Sequence, residues 1–238
     1  MPAMADNRRV IAIDLPGLGH SDKPLDVDYN IDFYTAILDG FLDALGIDDQ
    51  IGLVVHDLGG PLGLYWASQY PDRLERLALL NTLAYPEFSL MVRASLMAPK
   101  IPVLKSMITS QWGLRQLIKG GVANKSRLRP DTLEGVCAPF QDRQSREALR
   151  RTLISVTVAD MEVIAKWLPT VSCPVRIIYG KKDRALPGIG NTVERLCQDM
   201  PQAEVTVFED CGHFLQEEKP EEIGELLNAF FDPPGATG

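Results

Sequence analysis

A chain of 238 residues that is 45% apolar and 24% charged has the composition of a globular protein with one large core and room for an inserted subdomain. Its formal net charge of −8 argues against a general nucleic-acid binder, and no apolar run approaches the roughly 18 residues that a membrane span requires. Without signal-peptide features or C-x-x-C spacing among its four cysteines, it is predicted to be cytoplasmic, with buried thiols and no metal site.

The first third of the chain alternates predicted strands with predicted helices. Short apolar, partly β-branched runs predict strands over residues 9–13, 51–55 and 76–81. Apolar residues at helical spacing predict helices over residues 32–45 and 58–70. The segment 14–24 is dense in turn formers and predicts a loop. Such an alternation is typical of a parallel sheet, which binds its ligands at the carboxyl ends of the strands.

The alternation stops between residues 82 and 170, where the sequence predicts helices and loops without a strand. It resumes with predicted strands over residues 175–179 and 204–208 and predicted helices over residues 191–199 and 220–231. We therefore predict an α/β core of residues 1–81 and 171–238, interrupted by a helical cap insertion at residues 82–170. The insertion holds 13 Lys and Arg against 7 Asp and Glu, which indicates a solvated basic face or, alternatively, a surface for acidic substrates or a partner.

Residues 53–64 form the most informative stretch, because an apolar strand pattern breaks at Asp57 into two glycines and a helical pattern. Such a turn pushes the residue at the bend out at the carboxyl end of the strand, and Gly59 lets the backbone pass closely. This is the arrangement of a nucleophile elbow, with aspartate where serine is usual. His56 is expected to point away from the site. Taken alone, Asp57 could equally be a helix N-cap.

Two residues that could assist Asp57 lie at the ends of other predicted strands. Asp183 follows the strand at residues 175–179, and His213 follows the strand at residues 204–208. A nucleophile needs a base, and the base needs a group that orients it. The chain order of nucleophile, acid and histidine is a known order for catalytic triads. Because carboxyl ends of parallel strands meet at one edge, we expect these side chains to converge.

These motifs together resemble the α/β-hydrolase superfamily, in the branch that contains haloalkane dehalogenases and epoxide hydrolases. The resemblance rests on residues 14–24, 54–64, 180–183 and 212–213. The motif His-Asp-x-Gly-Gly, here His56 to Gly60, is typical of the members that use an aspartate nucleophile. The resemblance implies an α/β-hydrolase fold with a mostly parallel sheet, and it makes the helical insertion that family's cap.

The resemblance also implies a mechanism. Asp57 would attack an electrophilic carbon of a small apolar substrate and form an alkyl ester on the enzyme. His213, held by Asp183, would then activate the water that hydrolyses this ester, and the backbone N–H of Leu58 would stabilise the oxyanion. The chemistry requires neither a cofactor nor a metal.

Several side chains near this site leave alternatives open. Leu58 stands where haloalkane dehalogenases of this type carry a tryptophan that binds the departing halide, and Trp112 of the cap is a candidate replacement. Tyr85 is the one cap tyrosine that could assist epoxide opening, and Phe214 beside the histidine could contact substrate. The alternatives are an epoxide or β-lactone hydrolase, or a catalytically weak relative that binds a ligand or partner.

In the family, three further strands and a helix normally precede the strand predicted at residues 9–13, and one of their loops supplies the second oxyanion donor. We therefore expect an N-terminally truncated version of the fold. An uncovered sheet edge favours association, so we also expect a homo-oligomer.

Overall fold

The computed structural model describes residue 4, residues 8–88 and residues 90–232. Within this part of the chain the strands are β1 (Ile51–Asp57), β2 (Leu74–Thr82), β3 (Val175–Gly180) and β4 (Glu204–Phe208). The helices are α1 (Ile31–Ala44), α2 (Gly59–Gln69), α3 (Leu90–Met97), α4 (Pro102–Ile108), α5 (Gln111–Gly121), α6 (Pro130–Cys137), α7 (Arg143–Leu153), α8 (Val158–Trp167), α9 (Ile189–Asp199), α10 (Leu215–Glu218) and α11 (Pro220–Phe231).

The four strands form one parallel sheet in the order β1-β2-β3-β4. In the middle of the sheet Val55 lies opposite Leu79, which lies opposite Ile177. Ile177 in turn lies opposite Val205. The strands predicted after residue 50 are confirmed, and their carboxyl ends lie along one edge, where parallel sheets place their functional sites.

Both faces of the sheet are covered by helices. The side chains of β2 alternate, so that Leu77 and Leu79 pack against the layer that contains α2, α8 and α9. Ala78 and Leu80 point to the opposite face, where they pack with Phe231 and other residues of α11. Strands buried on both faces read as continuous apolar runs, which explains the sequence of β2.

Six helices, α3 to α8, lie between β2 and β3, and the described residues of that interval contain no strand. One apolar cluster of this region joins α5, α6 and α7 through residues such as Leu114, Leu133 and Leu149. Helix α8 instead packs on α2, and its Met161 and Ile164 belong to the main core. The boundary of the cap at residues 82–170 stays a prediction. Helix α8 falls within that range but packs with the core.

The strand predicted at Arg9–Ile13 is wrong, because these residues have no regular secondary structure. No strand of the described chain pairs with them, and β propensity without a ladder partner does not form a strand. The segment is held by other contacts. Arg8 pairs with Asp232 at 2.6 Å and lies over the Phe231 ring, and Val10 packs beside the α11 cluster.

β1 lies at one edge of this sheet. The homo-oligomer expected from an open edge stays a prediction. Among the helices that the structure describes, none combines the length and the hydropathy needed to cross a membrane.

Candidate active site

Asp57 lies at the bend between β1 and α2. It is the last residue of β1, and α2 begins two residues later at Gly59. Its φ angle of 49° lies in the left-handed region, which costs a residue with a side chain on the order of 1–3 kcal/mol. Such a conformation persists only where the surrounding structure enforces it, so the contacts around the bend matter.

Gly60 and Thr82 fix this bend. A Cβ atom on Gly60 would overlap with the Thr82 side chain, so only glycine allows α2 to start this close to β2. Thr82 Oγ1 donates a 2.7 Å hydrogen bond to the carbonyl oxygen of Asp57, and the two residues lie opposite each other in the sheet. The position of Asp57 is therefore set by the core of the protein.

The structure brings Asp57, His213 and Asp183 together. His213 Nε2 lies 3.3 Å from Asp57 Oδ1, and His213 Nδ1 lies 2.8 Å from Asp183 Oδ2. The side chains of His213 and Asp183 are 2% and 0% exposed, whereas that of Asp57 is 49% exposed. The carboxylate that could act as a nucleophile is thus the one that a ligand can reach.

Asp183 is held by four hydrogen bonds. Its Oδ1 accepts from the backbone N–H groups of Ala185 and Leu186, both at 2.8 Å. Its Oδ2 accepts from Asn81 Nδ2 at 2.5 Å and from His213 Nδ1 at 2.8 Å. Burial opposes ionisation, but the bonds and charge of His213 and the other donors hold the pKa of this carboxyl below its usual value. These bonds fix the Asp183 carboxylate in place, so it holds the His213 ring in one orientation.

The backbone of His213 is also held on both sides. Its N–H donates a 2.7 Å hydrogen bond to the Gly121 carbonyl at the end of α5. Its carbonyl oxygen lies 2.9 Å from His56 Nε2, which donates when that nitrogen carries the proton. The two imidazole rings lie 4.8 Å apart between centroids. The expectation that His56 points away from the site is wrong, because the loop that carries His213 folds back over the end of β1.

The carboxylates of Asp183 and Asp57 set the charge of His213. Burial opposes the imidazolium, yet the hydrogen bonds and charges of Asp183 and Asp57 raise the pKa of His213 to about 9. Burial likewise opposes the charge of Asp57, but His213 and the Leu58 N–H bring the pKa of that carboxyl below its usual value. Burial and the charge of His213 lower the pKa of His56. At neutral pH the site holds two carboxylates around one imidazolium.

Comparison with known proteins agrees with this architecture. Residues 1–103 match the family described as alpha/beta hydrolase fold. The crystal structure of the haloalkane dehalogenase DatA from Agrobacterium tumefaciens is 27% identical, with a TM-score of 0.75 over 90% of this chain and 77% of that one. The chain has the α/β-hydrolase fold, and these likenesses support the superfamily that the sequence predicts. The predicted fold is thereby confirmed.

Other relatives of this α/β-hydrolase have different printed activities. A cis-3-alkyl-4-alkyloxetan-2-one decarboxylase from Shewanella oneidensis is 29% identical over 93% of this chain and 73% of the relative. A 2-hydroxy-6-oxo-2,4-heptadienoate hydrolase from Pseudomonas putida is 28% identical over 97% of this chain and 80% of the relative. The epoxide hydrolase CorEH shares the fold, with a TM-score of 0.80 over 97% of this chain and 84% of that one, at 24% identity.

The structure separates the two parts of Leu58. Its backbone N–H helps to hold the pKa of the Asp57 carboxyl below its usual value, which is the effect of a donor beside that carboxylate. Its side chain is partly buried and packs with the cluster that contains Tyr34 and Leu62. The side chain therefore contributes packing, and the backbone contributes the polar group.

The three predicted substrate contacts have different surroundings. The Tyr85 hydroxyl donates a 2.7 Å hydrogen bond to Asp199 of α9, and the role of Tyr85 as a substrate contact stays a prediction. Trp112 is 62% exposed in the first turn of α5, and no described contact joins it to the triad. Phe214 packs edge-on against the His213 ring, at 4.9 Å between centroids, and fills the space over Gly121. It supports the histidine loop.

A cavity of about 280 Å³ lies beside the triad. It opens between the segment after β2 and the loop before α9, and its walls include Thr82, Tyr85 and Leu186. Neither Asp57 nor His213 lines it, so the exposed carboxylate of Asp57 lies outside this cavity. Among the described residues, no group of three or more His, Cys, Asp or Glu side chains is arranged to hold a metal ion.

Two supporting residues were missed by the sequence analysis. Asn81, the residue before the last of β2, has a φ of 25°, donates to Asp183, and accepts a 2.7 Å hydrogen bond from the Gly180 N–H. Glu218 is buried, and its carboxylate accepts hydrogen bonds from three backbone N–H groups. A polar residue at the end of an apolar strand could have indicated Asn81, whereas Glu218 stands in an acidic run that gives no signal.

Proposed function

We propose that this α/β-hydrolase uses Asp57 as a nucleophile and forms a covalent ester between its carboxylate and a carbon atom of the substrate. One observation carries the proposal: an ionised, half-exposed carboxylate at the elbow lies 3.3 Å from the Nε2 of a histidine whose other nitrogen is fixed by Asp183. An ionised carboxylate needs no base to attack, so the histidine is free for a later step.

In the first step an oxygen of Asp57 attacks an electrophilic carbon. A new carbon–oxygen bond forms, and the bond to the leaving group breaks with its electron pair leaving on that group. For an alkyl halide the products are an alkyl ester of Asp57 and a halide ion. The low pKa of Asp57 keeps the nucleophile ionised at neutral pH.

In the second step water attacks the carbonyl carbon of the ester. Ester formation removes the negative charge of Asp57, which is one of the causes of the raised pKa of His213. The pKa of the imidazole therefore falls in the intermediate, and His213 can lose its proton to solvent and accept one from water. Collapse of the tetrahedral intermediate releases the alcohol and restores the Asp57 carboxylate.

The Leu58 N–H supports this second step. It already lowers the pKa of the Asp57 carboxyl in the free enzyme, and the oxyanion develops on the same group. An oxyanion donor of this kind contributes about 10²- to 10³-fold to the rate in other enzymes.

We propose a small apolar substrate with a halide leaving group, as in the haloalkane dehalogenase DatA, which is 27% identical. A β-lactone is the second candidate, because the Shewanella relative is an oxetan-2-one decarboxylase and the Leu58 side chain offers no donor for a halide. The orientation of Tyr85 toward Asp199 weighs against an epoxide. A catalytically weak, ligand-binding relative is the remaining alternative.

The nucleophile is tested by trapping the intermediate. His213→Gln should still form the ester but fail to hydrolyse it, so incubation with 1-bromobutane should increase the mass of the intact protein by one butyl group. His213→Gln/Asp57→Ala should show no increase. An adduct that persists in the double variant, or its absence from His213→Gln while the wild type releases bromide, would contradict the assignment.

The substrate class is tested with the wild type on three panels of short substrates: bromo- and chloroalkanes, dialkyl β-lactones and epoxides. Halide release supports the first class, and carbon dioxide or hydroxy-acid formation supports the second. An enzyme that turns over none of them and forms no adduct would match the catalytically weak alternative.

A further inference from the structure

The charges of this α/β-hydrolase are unevenly distributed along the chain. Residues 88–130, which we name the acid-free segment, hold eight of the 24 Lys and Arg and none of the 32 Asp and Glu. The remainder of the chain therefore carries 16 basic and 32 acidic residues. A protein with net charge −8 thus contains one continuous stretch with charge +8, which spans helices α3, α4 and α5.

The acid-free segment also exposes apolar side chains. Of the fifteen large apolar residues that are exposed in the described part of the chain, seven belong to this segment. Leu90 is 86% exposed and Val103 is 78% exposed. Exposed apolar residues are ordinary when they are scattered, but a concentration of them marks a surface that contacts something.

Helices α4 and α5 place these residues side by side. Val103 and Met107 are exposed and four residues apart, so they share one face of α4. Helix α4 packs against α5, whose first turn exposes Trp112. Lys100 precedes α4, and Lys105 lies within it. Lys100 is exposed beside the exposed Ile101 at the start of α4, whereas Lys105 is two residues from both Val103 and Met107 and so lies on the opposite side of the helix.

Lys100 and Lys105 lack acidic partners, unlike two arginines of the same segment. Within the segment, Arg115 pairs with Glu134 and Arg127 pairs with Asp210, in both cases with an acid that lies outside it. Neither Lys100 nor Lys105 forms an ion pair with any residue that the structure describes. Their charge remains available to a partner.

We propose that the acid-free segment docks this protein onto the surface of an anionic phospholipid bilayer. Trp, Leu, Met and Val side chains enter the boundary between headgroups and acyl chains, while Lys side chains extend to the phosphates. Anionic lipids repel every carboxylate, which accounts for the absence of Asp and Glu over 43 residues. An acidic protein partner repels carboxylates only where its own acidic residues lie, whereas an anionic bilayer does so along the whole segment. The strongly acidic remainder is repelled by the same surface, so the cap faces the membrane.

Vesicle flotation tests the proposal with the full chain. The protein should float with vesicles of phosphatidylcholine that contain about one-third phosphatidylglycerol, and at least about tenfold less with pure phosphatidylcholine, because each Lys near an anionic surface contributes about a fivefold affinity. Raising the salt to about 0.5 M should remove most of the electrostatic contribution to vesicle binding, since the screening length then falls well below 10 Å.

Variants locate the surface. Lys100→Ala should weaken vesicle binding about fivefold, whereas Lys166→Ala, an equally exposed lysine with the same change in net charge, should leave it unchanged. Val103→Gln should weaken binding more than Val158→Gln, a matched change at an exposed position of α8. These four variants change exposed side chains, so folding is preserved and a null result is informative.

Trp112 supplies an independent readout. Trp66 is buried and Trp167 is half-buried, so quenching by brominated lipids should come from Trp112 and disappear in Trp112→Phe. Equal binding to neutral and anionic vesicles, no binding to either, or equal losses of binding in Lys100→Ala and Lys166→Ala would overturn the proposal. So would a dimer, seen by light scattering without lipid, that Lys100→Ala abolishes, because the face would then bind a second copy. The proposal does not depend on the reaction at Asp57.

Discussion

The substitution Asp183→Asn separates the two proposed steps of the reaction. The amide oxygen should keep the place of Oδ1, because the backbone N–H groups of Ala185 and Leu186 donate to it at 2.8 Å. The NH₂ group then replaces Oδ2, where it faces the donor Asn81 Nδ2 at 2.5 Å and the Nδ1 of His213 at 2.8 Å. The contact with Asn81 then brings two donors together, and the hydrogen bond with His213 reverses its direction.

The reversal fixes the wrong form of the histidine. An amide N–H donates to His213 Nδ1, so the neutral ring carries its proton on Nε2, the nitrogen that faces Asp57. That nitrogen cannot accept a proton from water. In a Ser-His-Asp triad the same change lowers kcat about 10⁴-fold. We expect a loss of this order in ester hydrolysis, and a loss of about 3 kcal/mol in unfolding free energy from the charged bond and the unpaired donors.

Formation of the ester should be affected much less, because Asp57 is positioned by Thr82 and by the start of α2. Rapid-quench kinetics with intact-protein mass spectrometry should therefore show the alkyl-enzyme accumulating in Asp183→Asn. Asp199→Asn, an acid-to-amide change at a carboxylate that accepts from Tyr85, serves as the control and should show no accumulation. If ester formation slows as much as hydrolysis, the proposed division of labour is refuted.

Two further predictions concern stability and the histidine loop. The folded protein holds the proton of His213 up to pH about 9, whereas the unfolded chain releases it near 6.5, so this contribution is complete below pH 6.5 and lost as pH rises through 9. The unfolding free energy should fall by about 3 kcal/mol over this range in urea titrations, and His213→Gln should flatten that slope. Glu218→Gln places an amide N–H against backbone donors and should cost about 2 kcal/mol. Glu217→Gln, its neighbour, should leave both stability and turnover unchanged.

The sequence predicts which residues converge at the site better than it predicts the contacts that hold them. Asp57, Asp183 and His213 each follow an apolar strand, and parallel strands bring such positions to one edge by geometry alone. Strand geometry brings all three to that edge, whereas the 3.3 Å approach of His213 to Asp57 also requires the loop after β4 to fold over β1. The contacts of His56 depend instead on how the loop after β4 folds over β1, and no local pattern records that path.

The missing strand at residues 9–13 and the hydrogen bond of Tyr85 both depend on tertiary contacts. Residues 9–13 have the composition of a strand, but a strand exists only where another strand pairs with it. Tyr85 has the chemistry of a substrate contact, but Asp199 lies close enough to take its hydroxyl. Ladder pairing and side-chain partners are both tertiary properties, so propensity and residue type alone could not predict them.

The contacts of Glu218 connect the cap to the proposed base. Its carboxylate accepts the N–H groups of Ala123 and Asn124, which follow α5, and that of Gly212, which precedes His213. Three backbone donors stabilise a buried carboxylate without a cation. Together with the bond from the His213 N–H to α5, they join the end of this helix to the histidine loop. Asp57 has no such link, since β1, β2 and α2 hold it. A shift of α5 would therefore move His213 and change its 3.3 Å separation from the Asp57 side chain. Because His213 acts in hydrolysis of the ester, the cap should control this step more than ester formation.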